Sequence, residues 1–311
     1  MKILVTGGAG FIGSHLVDSL VDAGHDIVVV DDLSQGHRQN LNPQAKFYKV
    51  DITSERIREI FNYERPELVS HHAGFDLACS DLQMASTNVQ VNLIGTLNIL
   101  EAAAAYEVRK IIYASSAAVY GNTAKYPCTE TDHVMPIHAG AINSLTIENY
   151  LRLYHQTIGL DFTVLRYPTV YGPRQTVDGS HSIVANLISE MIEVDPVLIE
   201  GTGKQELDLI YVSDVVCANL RAITNGGGQI INLGSGQTVS TNQLCEQLKR
   251  LIDYPNEVTY IPARPGYIRK TLLDTRKAEA TLAWKPQVPL EEGLSLTLSN
   301  YTYQSSHGLI A

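Results

Sequence analysis

The 311-residue chain is poor in paired cysteine and in positive charge, and it has no long apolar run. Its four cysteines, Cys79, Cys128, Cys217 and Cys245, form no CxxC or CxH pairing. That excludes a disulfide framework and a metal site of ordinary spacing, so no metal is expected and the thiols read as small apolar residues. Lys and Arg number 23 against 33 Asp and Glu, a net charge of −10. A chain this acidic is ill suited to coating phosphates, which argues against nucleic acid and membrane surfaces as partners. No apolar stretch approaches the ~20 residues that span a bilayer. The opening MKILVTGG reaches glycine too soon for a signal peptide, so the cytoplasm is the expected home. Internal repeats, low-complexity tracts and long linkers are missing as well. What remains is a folded composition, 44% hydrophobic and 18% charged. At about 150 residues per domain, the length suits two folding units or one large α/β unit with a smaller lobe.

Short β-rich runs alternate with helical patterns from the first residue. Lys2–Thr6, Asp26–Val30, Lys46–Val50, Glu67–His71, Arg109–Ala114 and Asp161–Arg166 are almost continuously apolar, as strands covered on both faces must be. Between them Ile12, Leu16, Leu20 and later Leu97, Leu100 recur at helical spacing, and Gly24 is placed to stop the first helix. The alternation predicts a Rossmann-type, doubly wound parallel sheet. After about Gly172 the rhythm loosens into short strands and helices, which reads as a smaller C-terminal α/β substrate lobe. We place the cofactor domain at 1–167, with 208–235 returning to it, and the lobe mainly at 168–311.

Thr6-Gly7-Gly8-Ala9-Gly10-Phe11-Ile12-Gly13 leaves the first strand and opens the first helix. Glycines three apart allow the tight turn, let backbone N–H groups reach a pyrophosphate, and seat the helix close to the sheet. The strand–turn–helix setting is what turns a weak glycine pattern into a dinucleotide site. Asp31 and Asp32 end the second strand, where a carboxylate accepts from an adenosine ribose and repels a 2′-phosphate. NAD is therefore favoured over NADP, although Arg38 stands nearby. The plainer alternative is that Asp31 caps a turn with Ser34.

TGGAGFIGS, VDDLSQG, Asp51-Ile52, His71-His72-Ala73-Gly74, SSAAVYG at 115–121, LRYPTVYGPRQ at 165–175 and ARPG at 263–266 follow one another in register. Together they resemble the extended short-chain dehydrogenase/reductase family, most closely its UDP-glucose 4-epimerase-like nucleotide-sugar epimerases and dehydratases. The resemblance covers nearly the whole chain. It implies bound NAD, a nucleoside-diphosphate sugar in the smaller lobe, and a homodimer formed by helices near Asn92–Ala105 and Asn143–Ile158. It also implies cofactor contacts from Gly7, Gly10, Phe11, Ile12, Gly13, Asp31, Asp32, Leu33, Ser34, Gly36, Asp51, Ile52, His72, Ala73, Gly74, Asn92, Ala114, Ser115 and Tyr167.

In that family chemistry depends on a Ser or Thr, a Tyr and a Lys. Ser116 matches the first. A Tyr-x-x-x-Lys pair works because residues i and i+4 share one helix face, the cation lowering the phenol pKa. Here the pattern places Gly140 at the tyrosine and Ser144 at the lysine. Loss of a positioned acid–base group costs ~10²–10⁴ in rate. His138, with an ordinary pKa near ~6.5, is the candidate replacement base; Glu148, Asn143 and His72 are weaker ones. The substrate end changes too. Pro168-Thr169 stand at the family's Phe-Asn, Leu207 at its phosphate-binding Arg, and Tyr267 at an acid, while Arg264 and Arg269 remain to face a diphosphate alongside Thr169, with Lys204 a less directional charge. An NAD-dependent epimerase or dehydratase with altered acid–base chemistry is the expectation. The alternatives are a catalytically silent NAD(H)-binding partner and an enzyme repurposed to a non-sugar substrate.

Overall fold

The computed structural model describes residues 1–74, 84–177, 182–263 and 266–306, with side chains described to Tyr301. Its large unit is a seven-stranded, wholly parallel sheet built from β1 (Lys2–Thr6), β2 (Asp26–Asp31), β3 (Lys46–Lys49), β4 (Leu68–His71), β5 (Lys110–Ser116), β6 (Asp161–Tyr167) and β11 (Gln229–Asn232). The spatial order is β11-β6-β5-β4-β1-β2-β3. Successive residues of each strand face opposite layers. Ile3, Val5, Ile27 and Val29 pack with Leu16, Val17 and Leu20 of α1 (Phe11–Asp22), whereas Leu4, Val28 and Val30 pack with α2 (Arg56–Glu64), α4 (Thr96–Ala105) and α5 (Ala139–Ile158). Both faces are covered, which is why the strands read as unbroken apolar runs.

Chain order reverses between β1 and β4, and a sheet of this kind opens a ligand crevice at such a switch point. Both flanking loops, after Thr6 and after His71, carry motifs singled out above. α3 (Ala85–Asn88) leads into a π-helical stretch, Val89–Gly95, before α4; the expected helix Asn92–Ala105 is thus irregular at its start, where Thr96 Oγ1 donates to Asn92 O.

The smaller lobe is formed by α6 (Ile183–Ile192), β8 (Leu198–Glu200), β9 (Glu206–Leu207), β12 (Val239–Ser240), α8 (Thr241–Ile252) and β13 (Thr259–Ile261). β8 pairs with β13, and β9 with β12. β7 (Thr169–Tyr171) and β10 (Leu209–Tyr211) pair with each other, and α7 (Val212–Ala222) packs on α1 before β11 joins β6. Asp208, between β9 and β10, turns inward to accept Ser235 N, Ser235 Oγ and Leu273 N. α9 (Arg276–Leu282) and α10 (Leu290–Ser306) complete the chain, with the Trp284 indole buried and donating to Asp214 O.

At the far edge of the sheet Glu64 joins α2 to β1 and β3, taking bonds from Lys2, Lys46 and Tyr48. Burial alone would raise its carboxyl, but these partners override it and hold it down at about 2. A carboxylate whose folded pKa is depressed stabilises the fold above its unfolded value near 4.5 and loses that contribution as pH falls toward 2. Glu64→Gln is expected to cost about 1–3 kcal/mol at neutral pH and to flatten the acid limb of stability between those values. Urea melts at stepped pH check this; an unaltered acid limb contradicts it.

Candidate active site

The turn after β1 is dictated by close backbone approach. Gly7 is left-handed at φ +69°, and its N–H donates to Val30 O while its carbonyl accepts Gly10 N. A Cβ on Gly7 would lie 2.7 Å from Ala73 N, and one on Gly13 only 2.1 Å from Gly7 O. α1 starts at Phe11 with Gly10 as its N-cap and no side-chain cap, so its first N–H groups are left for an anion. The residues present fit a dinucleotide pyrophosphate.

Asp31 is buried beside this turn. Its carboxylate accepts Ala9 N at 2.9 Å and Leu33 N at 2.8 Å, and burial pushes its pKa up. Each oxygen keeps a lone pair for a ribose hydroxyl. The turn-capping role considered for Asp31 belongs to Asp32, which accepts both Ser34 N and Ser34 Oγ. Gly36 lies against Asp31: a Cβ there would meet its Oδ1 at 2.9 Å. Asp51 is exposed and accepts Thr53 N, while buried Ile52 has its carbonyl bound by Asn98.

On the other wall, Thr6 Oγ1 takes the N–H groups of both His72 and Ala73. This pins Ala73 over Gly7. His71 is clamped between Thr6 and Thr96 hydroxyls and stacks on Tyr113; burial holds it neutral, with a pKa lowered to about 3. His72 meets Ser70 Oγ and is likewise lowered by burial, to about 4. Gly74 adjoins Asn92, whose Oδ1 would lie 3.3 Å from an added Cβ.

β5 and α5 build the other end of the crevice. Glu148 on α5 and Arg166 on β6 form a bidentate pair, Nε to Oε1 at 2.9 Å and Nη2 to Oε2 at 2.6 Å, both buried. Glu148 also accepts Ser115 Oγ at 2.7 Å, and Arg166 donates to Tyr120 Oη, which donates to Asn232. Ala114 and Ser115 lead to Ser116, the last residue of β5, which opens a 3₁₀ turn, Ala117–Tyr120, with its Oγ accepting Ala118 N. His138 is the N-cap of α5, its Nδ1 accepting Ala141 N at 3.3 Å. Gly140 lies in the first turn and Ser144 one turn on, donating to Gly140 O. A Cβ on Gly140 would make only an ordinary contact, 3.6 Å from His138 Nδ1.

Ser116, His138, Tyr167 and Thr169 line one cavity of about 370 Å³ that continues between the sheet and the small lobe. Tyr167 has its hydroxyl tied to Asn219 of α7. Leu207 lies in the cavity wall, and so do Glu190, Glu200, Gln205, Thr241 and Tyr267. Among the described residues no Lys or Arg lines it. Lys204 and Arg269 are exposed, and Arg264 lies outside the described residues. Asn186 and Glu190 were not singled out from sequence. The available signal was their i,i+4 spacing, one polar stripe on the apolar helix α6. Asn186 Oδ1 and Thr241 Oγ1 are buried with no hydrogen-bond partner among the described residues, as expected of groups that await a ligand.

The chain belongs to the NAD dependent epimerase/dehydratase family. That family's profile matches residues 3–234. A putative UDP-glucose 4-epimerase of Methanocaldococcus jannaschii is 37% identical over 293 residues, 94% of this chain and 95% of that protein. The UDP-glucose 4-epimerase of Thermotoga maritima, solved with UDP-glucose, is 41% identical with a TM-score of 0.96, covering 98% of this chain and 100% of that one. The Thermus thermophilus UDP-glucose 4-epimerase complex with NAD has a TM-score of 0.93 at 33% identity, covering 97% and 99%. The Rossmann-type fold and the extended short-chain dehydrogenase/reductase resemblance are thereby borne out, and the cofactor of this family member is NAD. Among the described residues no helix is long and apolar enough to cross a membrane, and no cluster of metal-ligating side chains occurs.

Gly13→Ala should weaken NAD binding at least about a hundredfold, ~2.7 kcal/mol, because its methyl collides with Gly7 O. Calorimetry on a variant shown to be folded by circular dichroism checks this; near-unchanged affinity contradicts it.

Proposed function

We propose that this chain holds a nucleoside-diphosphate sugar beside NAD and is an epimerase/dehydratase-like protein of altered acid–base chemistry. NAD, when bound, supplies the hydride acceptor and donor. The chain's residues supply the rest: the Gly10–Gly13 backbone holds the pyrophosphate, Asp31 the adenosine ribose, and Ser116 the reacting sugar oxygen. Further cofactor contacts are assigned to Leu33, Gly36, Asp51, Ile52, Ala73, Asn92 and Ser115, and Thr169 and Arg264 to the sugar nucleotide. Arg269, whose side chain does not line the cavity, is a weaker candidate there.

The observation that carries the reading is the first turn of α5. Gly140 has no proton to exchange, and the Ser144 hydroxyl is turned back to Gly140 O. Neither a phenol nor an ammonium stands at these two positions of α5, so 4-epimerisation by that route is weakened by ~10²–10⁴. One observation favours the second reading, a silent NAD-binding partner or a non-sugar substrate: the cavity wall carries Glu190 and Glu200 but no described cation to meet a diphosphate.

Domain limits of 1–167 plus about 208–235, with 168–311 as the lobe, are supported by β11 pairing with β6. A homodimer is supported by Val89, Ile94, Ile142 and Leu153, large apolar residues exposed on the α3–α4 segment and α5.

Introducing Tyr at Gly140 and Lys at Ser144 together should raise UDP-glucose/UDP-galactose interconversion at least about 10²-fold, followed by proton NMR of the anomeric signals. No gain in a folded, NAD-bound double variant overturns the assignment. Calorimetry should also find NAD bound more tightly than NADP, since Asp31 repels a 2′-phosphate; equal or reversed affinity removes Asp31 from that role.

A further inference from the structure

His71 ends β4 beneath the switch point of the sheet, and the directions of its two hydrogen bonds are fixed from both sides. A threonine hydroxyl has one hydrogen and two lone pairs. The N–H groups of His72 and Ala73, each at 3.2 Å, occupy the lone pairs of Thr6 Oγ1, so its hydrogen points to His71 Nδ1 at 2.6 Å. On the other side Thr96 Oγ1 donates its single hydrogen to Asn92 O at 2.5 Å, since a carbonyl can only accept. Thr96 therefore accepts from His71 Nε2 at 2.8 Å. Both sides demand the same ring form, with the proton on Nε2, and burial keeps that ring neutral.

The relay ends on the π-helical stretch Val89–Gly95. In an α-helix the Thr96 amide would donate to Asn92 O; here it donates to Leu93 O, and the Thr96 hydroxyl takes Asn92 O. The Asn92 side chain adjoins Gly74. A line of bonds that leaves the Ala73 amide therefore comes back beside the next residue in the chain, with the His71 ring at its middle. We propose that His71 is a positioning residue for NAD: its Nε2–H ring directs the two hydroxyls, and through them it sets the separation of the Ala73–Gly74 segment from Asn92. The proposal rests on the assignment of Ala73 and Asn92 to the cofactor made above. A wall ordered in advance by buried bonds costs the ligand less to organise, and losing one such bond weakens binding about tenfold.

Two substitutions at the far end of the relay test it without touching the cofactor contacts. Thr96→Val keeps the branched side chain and removes the hydroxyl; Thr96→Ser keeps the hydroxyl. Calorimetry on variants shown to be folded by circular dichroism would compare their affinities for NAD. Thr96→Val should bind NAD at least about tenfold more weakly than the wild type, and Thr96→Ser within about twofold of it. A hydroxyl that served the fold alone would lower the melting temperature and leave NAD affinity as it was, so unchanged affinity in Thr96→Val overturns the proposal. A Thr96→Ser variant as weak as Thr96→Val overturns it too. Asn92→Ala separates the proposal from the assignment beneath it: binding weaker by about tenfold is expected, and unchanged affinity overturns the cofactor role of Asn92 together with the proposal. A loss in Asn92→Ala with none in Thr96→Val overturns the proposal alone. Imidazole nitrogen NMR of the NAD-loaded protein reads the ring directly: His71 should carry its proton on Nε2, and an Nδ1–H ring overturns the relay.

Discussion

The buried pair between Glu148 and Arg166 sets where the long helix α5 lies, and the catalytic end of the molecule depends on it. Taking two charges out of water is costly, and their attraction offsets that cost only when the geometry is good and the remaining polar atoms are satisfied. Here the guanidinium grips the carboxylate at two points, Ser115 donates to the same carboxylate, and Tyr120 takes the remaining arginine nitrogen. Burial would lower the arginine's pKa, but the bonds to Glu148 reverse this and hold it charged. From Tyr120 the chain of bonds runs through Asn232 to Glu130. One network thus ties α5 to β5, β6 and β11. It holds the α5 N-terminus opposite Ser116 although the first turn of α5 carries no general base.

The two ends of the crevice differ in what they keep. At the cofactor end every close approach is in place: Gly7 under Ala73, Gly13 under Gly7, and Thr6 binding the segment after β4 that closes over them. At the substrate end the cavity is well formed, but the start of α5 carries the His138 cap, Gly140 and Ser144 rather than a phenol and an ammonium four residues apart. On the proposed reading such a chain retains binding and orientation, while proton transfer loses its usual agent. Membership of the NAD dependent epimerase/dehydratase family therefore fixes the scaffold and cofactor more firmly than the reaction.

The legible parts of the fold were the local ones. β1, the glycine turn and α1 follow from consecutive residues, and their apolar periodicity carries over directly into the two packed layers. The roles of Asp31 and Asp32 were not separable from sequence, because Leu33 adopts φ +64° and turns their side chains to different partners. The π-helical stretch at Val89–Gly95 left no periodic signal. The buried role of Asp208 left no local signal, since it depends on Ser235 and Leu273, which are distant in sequence. At the site, Gly140 and Ser144 were visible as departures from a motif. The capping of α5 by His138 was not, for it rests on how the chain enters the helix toward Ala141 N.

The most direct test of the account is the wild-type turnover itself. NAD-loaded protein and UDP-glucose would be followed by proton NMR, with calorimetry on the same sample to establish that the nucleotide binds. Ordinary enzymes turn over near ~10 s⁻¹. The account predicts binding with interconversion slower than that by a factor of ~10² or more. Turnover at the ordinary rate would contradict it, because a competent base would then be present that the α5 sequence and geometry do not supply.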